Sequence, residues 1–239
     1  MARNFLDRQK EYFDSYCKDY EFAETKASHY EFTTFLNFIG ENQQEKRILD
    51  LGCGPGRFGI KLAALTSADV IGLDVSDVAI EKANTLAKKN GISNFHATKH
   101  DFKDSHYNEY FDFVLTVNML HHTDEQDKIA ENVYKSLKPG GAWIIIENNP
   151  FNLMFIPFFI LIGQLRAHLT WQYLKANKHS LGKLVKRHKF QISEIQRYGF
   201  LPTMLYNYSS LFITINKILN KLPLINELAA FHLIKAIKR

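Results

Sequence analysis

Residues 47–59 read Arg47-Ile-Leu-Asp-Leu-Gly-Cys-Gly-Pro-Gly-Arg-Phe-Gly59. Ile48, Leu49 and Leu51 make a short apolar run that reads as a buried strand, with Asp50 near its C-terminal end. Gly52, Gly54 and Gly56 follow at every second position, and Ile60, Leu62, Ala63 and Leu65 then open a helix pattern. A strand that turns through glycines into a helix presents backbone N–H groups with no Cβ in the way, so a ligand can approach the main chain. In a parallel sheet that crevice lies at the carboxyl ends of the strands. Two ligand classes use such a turn. Gly54-Pro-Gly56-Arg-Phe-Gly59 satisfies the glycine spacing of dinucleotide sites. Asp50, two positions before the first glycine, suits a ligand that presents a cation there and would repel a pyrophosphate.

The stretches downstream decide between them. Val70-Ile-Gly-Leu-Asp74-Val75-Ser76 reads as a second buried strand ending in Asp74. An acidic residue at a strand end, roughly 20 positions beyond the glycine turn, is placed to accept both hydroxyls of a ribose. Asp77 to Asn90 reads as a helix with Val78, Ile80, Ala83, Leu86 and Ala87 on its apolar face, stopped at Asn90-Gly91. Phe95-His-Ala-Thr is a third short strand and leads to His100-Asp101-Phe102. Phe111 to Asn118 is continuously apolar, as expected of a central parallel strand covered on both faces. It opens on Met119-Leu120-His121-His122-Thr123-Asp124. Leu137-Lys-Pro139-Gly140-Gly141 then makes a turn into a fifth apolar strand ending at Glu147.

Asp50-Leu-Gly52-Cys-Gly54-Pro-Gly56 resembles the first motif of class I S-adenosylmethionine-dependent methyltransferases. Asp74, the His-His turn and the Lys-Pro-Gly-Gly turn resemble that family's later motifs, in the same order over residues 47–148. The resemblance implies an α/β, Rossmann-like fold: a seven-stranded, mostly parallel sheet with helices on both faces and C-terminal helical insertions. It implies S-adenosylmethionine as cofactor and S-adenosylhomocysteine as product. It assigns the cofactor to Asp50, Gly52, Gly54 and Gly56, to Asp74 and Val75 at the ribose, to Asp101 and Phe102 at the adenine, and to Asn118 and Tyr20. In the family an N-terminal helical segment often closes over cofactor and substrate, which makes Tyr12, Tyr16 and Tyr20 lid candidates. The alternative is that they pack on the sheet edge. The sequence expects an N-terminal helical lid over 1–46, a cofactor-binding core over 47–150, and substrate-cover insertions with the last two strands over 151–239, integrated in a single domain.

The charge is divided unevenly. Residues 1–150 hold 17 Lys/Arg and 23 Asp/Glu, a balance of −6, and residues 151–239 hold 13 and 2, a balance of +11. A basic, aromatic-rich last third points to an anionic partner or to a solvated basic surface. Phe151 to Leu165 is almost continuously apolar but interrupted by Pro157 and too short to span a bilayer. It reads as a lid, a pocket wall or an interfacial segment. Ser180 to His188 reads as a helix and Gln191 to Phe200 as a sixth strand. In 204–222, Leu211, Ile215, Ile218, Leu219 and Leu222 fall on one helical stripe, with Asn216, Lys217, Asn220 and Lys221 opposite; such a helix caps the core or lies on a membrane. Phe231 to Arg239 fits an antiparallel last strand. Cys17 and Cys53, and a charged N-terminus with no apolar stretch, suggest a reduced, cytoplasmic chain, peripheral at the membrane if the basic region meets lipid.

Methyl transfer needs a general base only when the nucleophile is a hydroxyl or a protonated amine. His121, His122 and Glu147 are the candidates, with a structural His122 capping the following helix as the plainer alternative. His-His-x-Asp124 supplies no metal ligand set. Asn118-Met-Leu-His stands where many DNA and exocyclic-amine methyltransferases carry an Asn-Pro-Pro-Tyr-type sequence, which speaks against base methylation and makes a nucleic-acid acceptor the less expected one. The expected activity is methylation of a small-molecule or lipid-like acceptor. The rivals are an RNA or protein methyltransferase that uses the basic face, and a non-catalytic cofactor-binding regulator or partner subunit. Oligomeric state is left open.

Overall fold

The computed structural model describes residues 13–21, 24–40, 45–102, 107–152, 175–201 and 204–239. Residues 13–19 are helical. The labelled elements are α1 (Lys26–Ile39), β1 (Arg47–Leu51), α2 (Gly59–Leu65), β2 (Asp69–Asp74), α3 (Asp77–Lys89), β3 (Phe95–Lys99), β4 (Phe111–Val117), α4 (Gln126–Ser136), β5 (Leu137–Asn148), α5 (Lys178–Arg187), β6 (Phe190–Tyr198), α6 (Met204–Tyr208), α7 (Ser210–Leu219), α8 (Pro223–Asn226) and β7 (Phe231–Lys238). A 3-10 turn, Leu120–His122, follows β4.

The sheet runs β3-β2-β1-β4-β5-β7-β6. β1 to β5 are parallel, and β7 enters antiparallel between β5 and β6. The order reverses direction between β1 and β4, so their carboxyl ends diverge and leave a crevice, the place where open α/β sheets bind ligands. The apolar runs read from the sequence are the central strands: Ile48, Leu49, Val114, Leu115, Ile144, Ile145 and Ile146 are each 0–1 % exposed.

Two cores flank the sheet. On one face α1, α2 and α3 bury Phe35, Ile60, Leu62 and Ala83 against Ile48, Ile144 and Leu233. On the other, α4 and α5 bury Ile129, Val133, Leu181 and Val185 against Leu49, Trp143 and Ile234. The caps follow local chemistry: Thr25 and Ser28 form a capping box on α1, Ser76 caps α3 and Asn177 caps α5.

Two expectations change. The Lys-Pro-Gly-Gly segment lies within β5: Phe111 pairs Leu137 while Phe113 pairs Ala142, so residues 138–141 bulge out, with Gly140 at φ 76°. On α1 the buried side chains are Tyr30, Glu31, Phe32, Phe35, Phe38 and Ile39, with Thr34 half-buried. On α7 the polar Asn216 is wholly buried and Leu211 and Ile218 are exposed. That is the reverse of a stripe that caps the core, and its cause is hydrogen bonding. Asn216 Nδ2 donates to the Tyr30 hydroxyl at 2.7 Å, and its Oδ1 accepts the Phe200 N–H. Tyr12 and residues 153–165 lie outside the described residues.

Candidate active site

The glycine turn leaves β1 in the left-handed region. Gly52, Gly54 and Gly56 have φ of 72°, 53° and 83°, which L side chains rarely adopt. The three do different work. A Cβ on Gly52 would come within 2.5 Å of Met119 Cγ, so this glycine lets the segment after β4 close onto β1. A Cβ on Gly56 would strike Ile60 at 2.6 Å, where the turn feeds α2. A Cβ on Gly54 would meet nothing within 4 Å: this backbone faces open space.

Two carboxylates hold the turn. Asp50 is 2 % exposed, and its Oδ2 accepts the N–H of Gly59, the first residue of α2, at 3.0 Å. Burial pushes its pKa up to about 7, against the opposing pull of the Gly59 hydrogen bond. Asp74, at the end of β2, accepts the Gly54 N–H on Oδ2 at 2.9 Å and the Ser76 N–H on Oδ1 at 3.0 Å. Burial raises its pKa, and these amides lower it. Each oxygen keeps a lone pair beyond these bonds. Val75, beside it, is 62 % exposed.

The helix over 13–19 lies across this end of the sheet. Asp14 Oδ1 is 2.5 Å from the Ser76 hydroxyl, and the Phe13 ring meets His122 edge-on at 4.8 Å. Cys17 is 2 % exposed; burial, with Asp74 and Asp14 close by, pushes its thiol up to about 11. The inward side chains of this helix are therefore Phe13, Asp14 and Cys17. Tyr16 is 43 % exposed, and Tyr20 is half-buried 5.8 Å from it. Nothing in the spacing distinguished an Asp or a Cys as lid contacts, since both read as ordinary helix residues.

Across the crevice, Asn118 ends β4 in a left-handed conformation (φ 50°) that asparagine tolerates better than most residues. Its N–H donates to the Ile146 carbonyl at 2.8 Å, and its Oδ1 accepts from Asn148 Nδ2 at 3.0 Å. The chain then turns through Leu120–His122. Glu147, fully buried at the end of β5, accepts the Leu120 N–H at 2.7 Å on Oε1 and lies 2.6 Å from His121 Nδ1 through Oε2. With Glu147 as acceptor, Nδ1 carries the hydrogen and Nε2 is left as the acceptor nitrogen of the ring.

The His122 ring stacks obliquely on His121, with centroids 3.9 Å apart. Burial, reinforced by His121, holds His122 down to about 3, so it is neutral near pH 7. It does not cap the following helix, whose N-cap is Glu125 with no side-chain bond. Packing against Phe13 takes its place.

The adenine-side candidates are divided. Asp101 is half-exposed after β3, whereas Phe102 is 3 % exposed in the α4-side core, its carbonyl held by Asn132 Nδ2 at 2.8 Å. A further buried network joins the glycine turn to the far helices: Arg57 pairs with Glu31 of α1, and Glu31 accepts from the Tyr198 hydroxyl at 3.2 Å. A lone arginine after a glycine turn carried no signal of this. Both cysteines are buried and unbridged, and no group of three His, Cys, Asp or Glu could hold a metal among the described residues.

The chain matches the family model described as "Methyltransferase domain" over residues 42–199. It is 31 % identical over 138 residues to sterol 24-C-methyltransferase of Candida albicans, covering 57 % of this chain and 36 % of that one. It is 31 % identical over 140 residues to ubiquinone biosynthesis O-methyltransferase of a Chelativorans species, covering 59 % and 53 %. It thus spans about a third to a half of the length of these relatives. Among solved structures it superposes on phosphoethanolamine N-methyltransferase 2 of Haemonchus contortus in complex with S-adenosyl-L-methionine. That TM-score is 0.65 at 20 % identity, over 87 % of this chain and 52 % of that one, a likeness of fold.

Proposed function

Because the chain belongs to the family of S-adenosylmethionine-dependent methyltransferase domains, we propose that it transfers a methyl group from S-adenosylmethionine to a small-molecule or lipid-like acceptor. The observation that carries the reading is the junction of the open Gly54 backbone, the Asp74 carboxylate and the His121–Glu147 pair at the carboxyl ends of adjoining strands. The residues fit the cofactor. Asp74 has lone pairs left for a ribose diol, Gly54 lets a ligand reach main chain, and Asp50 brings negative charge near a cation. When bound, the cofactor supplies an activated methyl on a sulfonium.

The chain's own work is alignment and proton handling. Alignment of two reactants contributes about 7–11 kcal/mol to such a reaction. The helix over 13–19 covers the crevice and excludes water. His121, held in one tautomer by Glu147, takes the proton of a hydroxyl or protonated amine acceptor. Asn118 and Asn148 orient its polar end. The sterol and quinone relatives favour a lipid-like acceptor. In the same reading the chain is cytoplasmic, with peripheral membrane contact through residues 151–165 and 204–222.

The test uses cofactor labelled in its methyl group, incubated with the protein and a cell extract that is then divided into organic, small aqueous, RNA and protein fractions. Label in the organic phase is the expected result. Label in RNA or protein overturns the acceptor class, and cofactor binding without any labelled product overturns the enzymatic reading.

A further inference from the structure

α7 turns Asn216, Phe212 and Ile213 inward and leaves part of its apolar surface exposed. Leu211, Ile218 and Leu222 are 62 %, 57 % and 43 % exposed, while Asn216 is 0 % exposed. The three recur at i, i+7 and i+11 and so share one stripe of the helix and its continuation. Tyr208, just before α7, is 77 % exposed. These four make up half of the large exposed apolar side chains among the described residues, so the patch is not the scatter of single residues that any surface carries.

The orientation is built in. Rolling the stripe inward would break both the Asn216–Tyr30 and the Asn216–Phe200 hydrogen bonds, each buried or half-buried. Lys217 and Lys221 are exposed beside the stripe. They also line a cavity of about 450 Å³ between α1, β6 and α7, together with Thr34, Asn37 and Asn220; Glu194 is the carboxylate on its wall. Residues 151–239 carry a balance of +11.

We propose that α7 docks on an anionic phospholipid bilayer, with Leu211, Ile218 and Leu222 at the acyl boundary and Lys217 and Lys221 against lipid phosphates, the cavity accepting a headgroup. An apolar stripe with lysines alongside is the pattern of a helix lying in the interface. No helix among the described residues is long and apolar enough to cross a membrane, which agrees with interfacial contact. An anionic surface is favoured because Lys217 and Lys221, the only charged residues of 204–222, stand exposed beside the stripe. The inference rests on the lipid-like acceptor reading for its purpose, but its test is separate.

The full chain is floated with phosphatidylcholine vesicles, with and without phosphatidylglycerol. Three proteins are compared: the natural chain, the triple variant Leu211→Ser, Ile218→Ser, Leu222→Ser, and the double variant Lys217→Glu, Lys221→Glu. The natural chain is expected to float only with the phosphatidylglycerol vesicles. Both variants should lose partitioning by roughly tenfold or more. Both should keep their affinity for S-adenosylmethionine by calorimetry, since the substitutions are exposed and remote from the glycine turn. A natural chain that does not float, or variants that float equally, overturns the proposal. So does a dimer of the natural chain that becomes a monomer in the triple variant without any flotation, since the stripe would then cover a second copy. Cofactor affinity absent from the natural chain would sink the methyltransferase reading and leave the flotation result standing.

Discussion

At the scale of single residues, Asp50 and Asp74 do opposite jobs with the same side chain. Asp74 accepts two backbone amides and has lone pairs to spare, though burial raises its pKa. A hydrogen bond to a charged group contributes about 1.5–3 kcal/mol, so Asp74→Ala should weaken S-adenosylmethionine binding roughly tenfold or more in calorimetric titration. Asp50 is buried, with its pKa raised to about 7, and a cationic ligand favours its charged form. Binding must then displace a proton below that pH. Cofactor affinity should fall as pH drops below about 7, by up to about tenfold per unit, and Asp50→Asn should flatten the profile. An unaltered pH profile in the variant would remove Asp50 from this role. His121 and Glu147 act together: His121→Ala and Glu147→Gln should each lower kcat roughly 100-fold or more with cofactor affinity unchanged, if the acceptor must lose a proton. Equal loss of cofactor binding would make the pair structural.

At the scale of elements, the site is assembled where β1 and β4 diverge, and the helix over 13–19 closes on it. α1 is central to this, because Glu31 reaches Arg57 in the glycine turn and Tyr198 on β6, while Tyr30 reaches Asn216 on α7. Asn216 is where the element-scale argument can be measured. Asn216→Ala leaves the Phe200 N–H and the Tyr30 hydroxyl without their partner, and an unsatisfied buried group costs about 1–3 kcal/mol. We expect a loss of about 2–4 kcal/mol in urea unfolding, well above the ±0.5 kcal/mol of an ordinary surface change. A loss within that surface range would mean that α7 is held by Phe212 and Ile213 alone.

At the scale of the whole molecule, buried titratable groups set the response to acid. Burial pulls His122 down to about 3 and His232 down to about 4. Their neutral forms are favoured in the fold, so the stability they contribute is present above the unfolded histidine pKa, near 6.5, and is lost as pH falls towards 4. Asp50 opposes this, because its raised pKa makes the fold take up a proton over much of the same interval. Asp74, also raised by burial, acts in the same sense as Asp50, so the histidine contribution is isolated by comparing variants. Acidification from about pH 6.5 to about 4 should destabilise the natural chain more than His232→Asn, read as urea midpoints. Equal shifts in the two proteins would contradict the burial of this ring.

The strands and the glycine turn were legible along the chain because each is a local matter. Continuous apolar runs such as Phe111 to Val117 bury on both faces of a parallel sheet, and alternating glycines permit one kind of turn. Asp74 and the order of the motifs followed from the same local patterns. The Asp14–Ser76 contact, the pairing of His121 rather than His122 with Glu147, and the burial of Phe102 belonged to the tertiary structure. Each depends on which side chain meets a neighbour tens of residues away, and sequence spacing carries no measure of that. α7 shows the difference most plainly. Periodicity established its two faces from Leu211, Ile218 and Leu222 on one side and Asn216 on the other. Which side turned inward was decided by partners distant in sequence: Asn216 bonds to Tyr30 and Phe200 while Phe212 and Ile213 pack on the core beside it, and spacing along the chain does not specify where such partners lie.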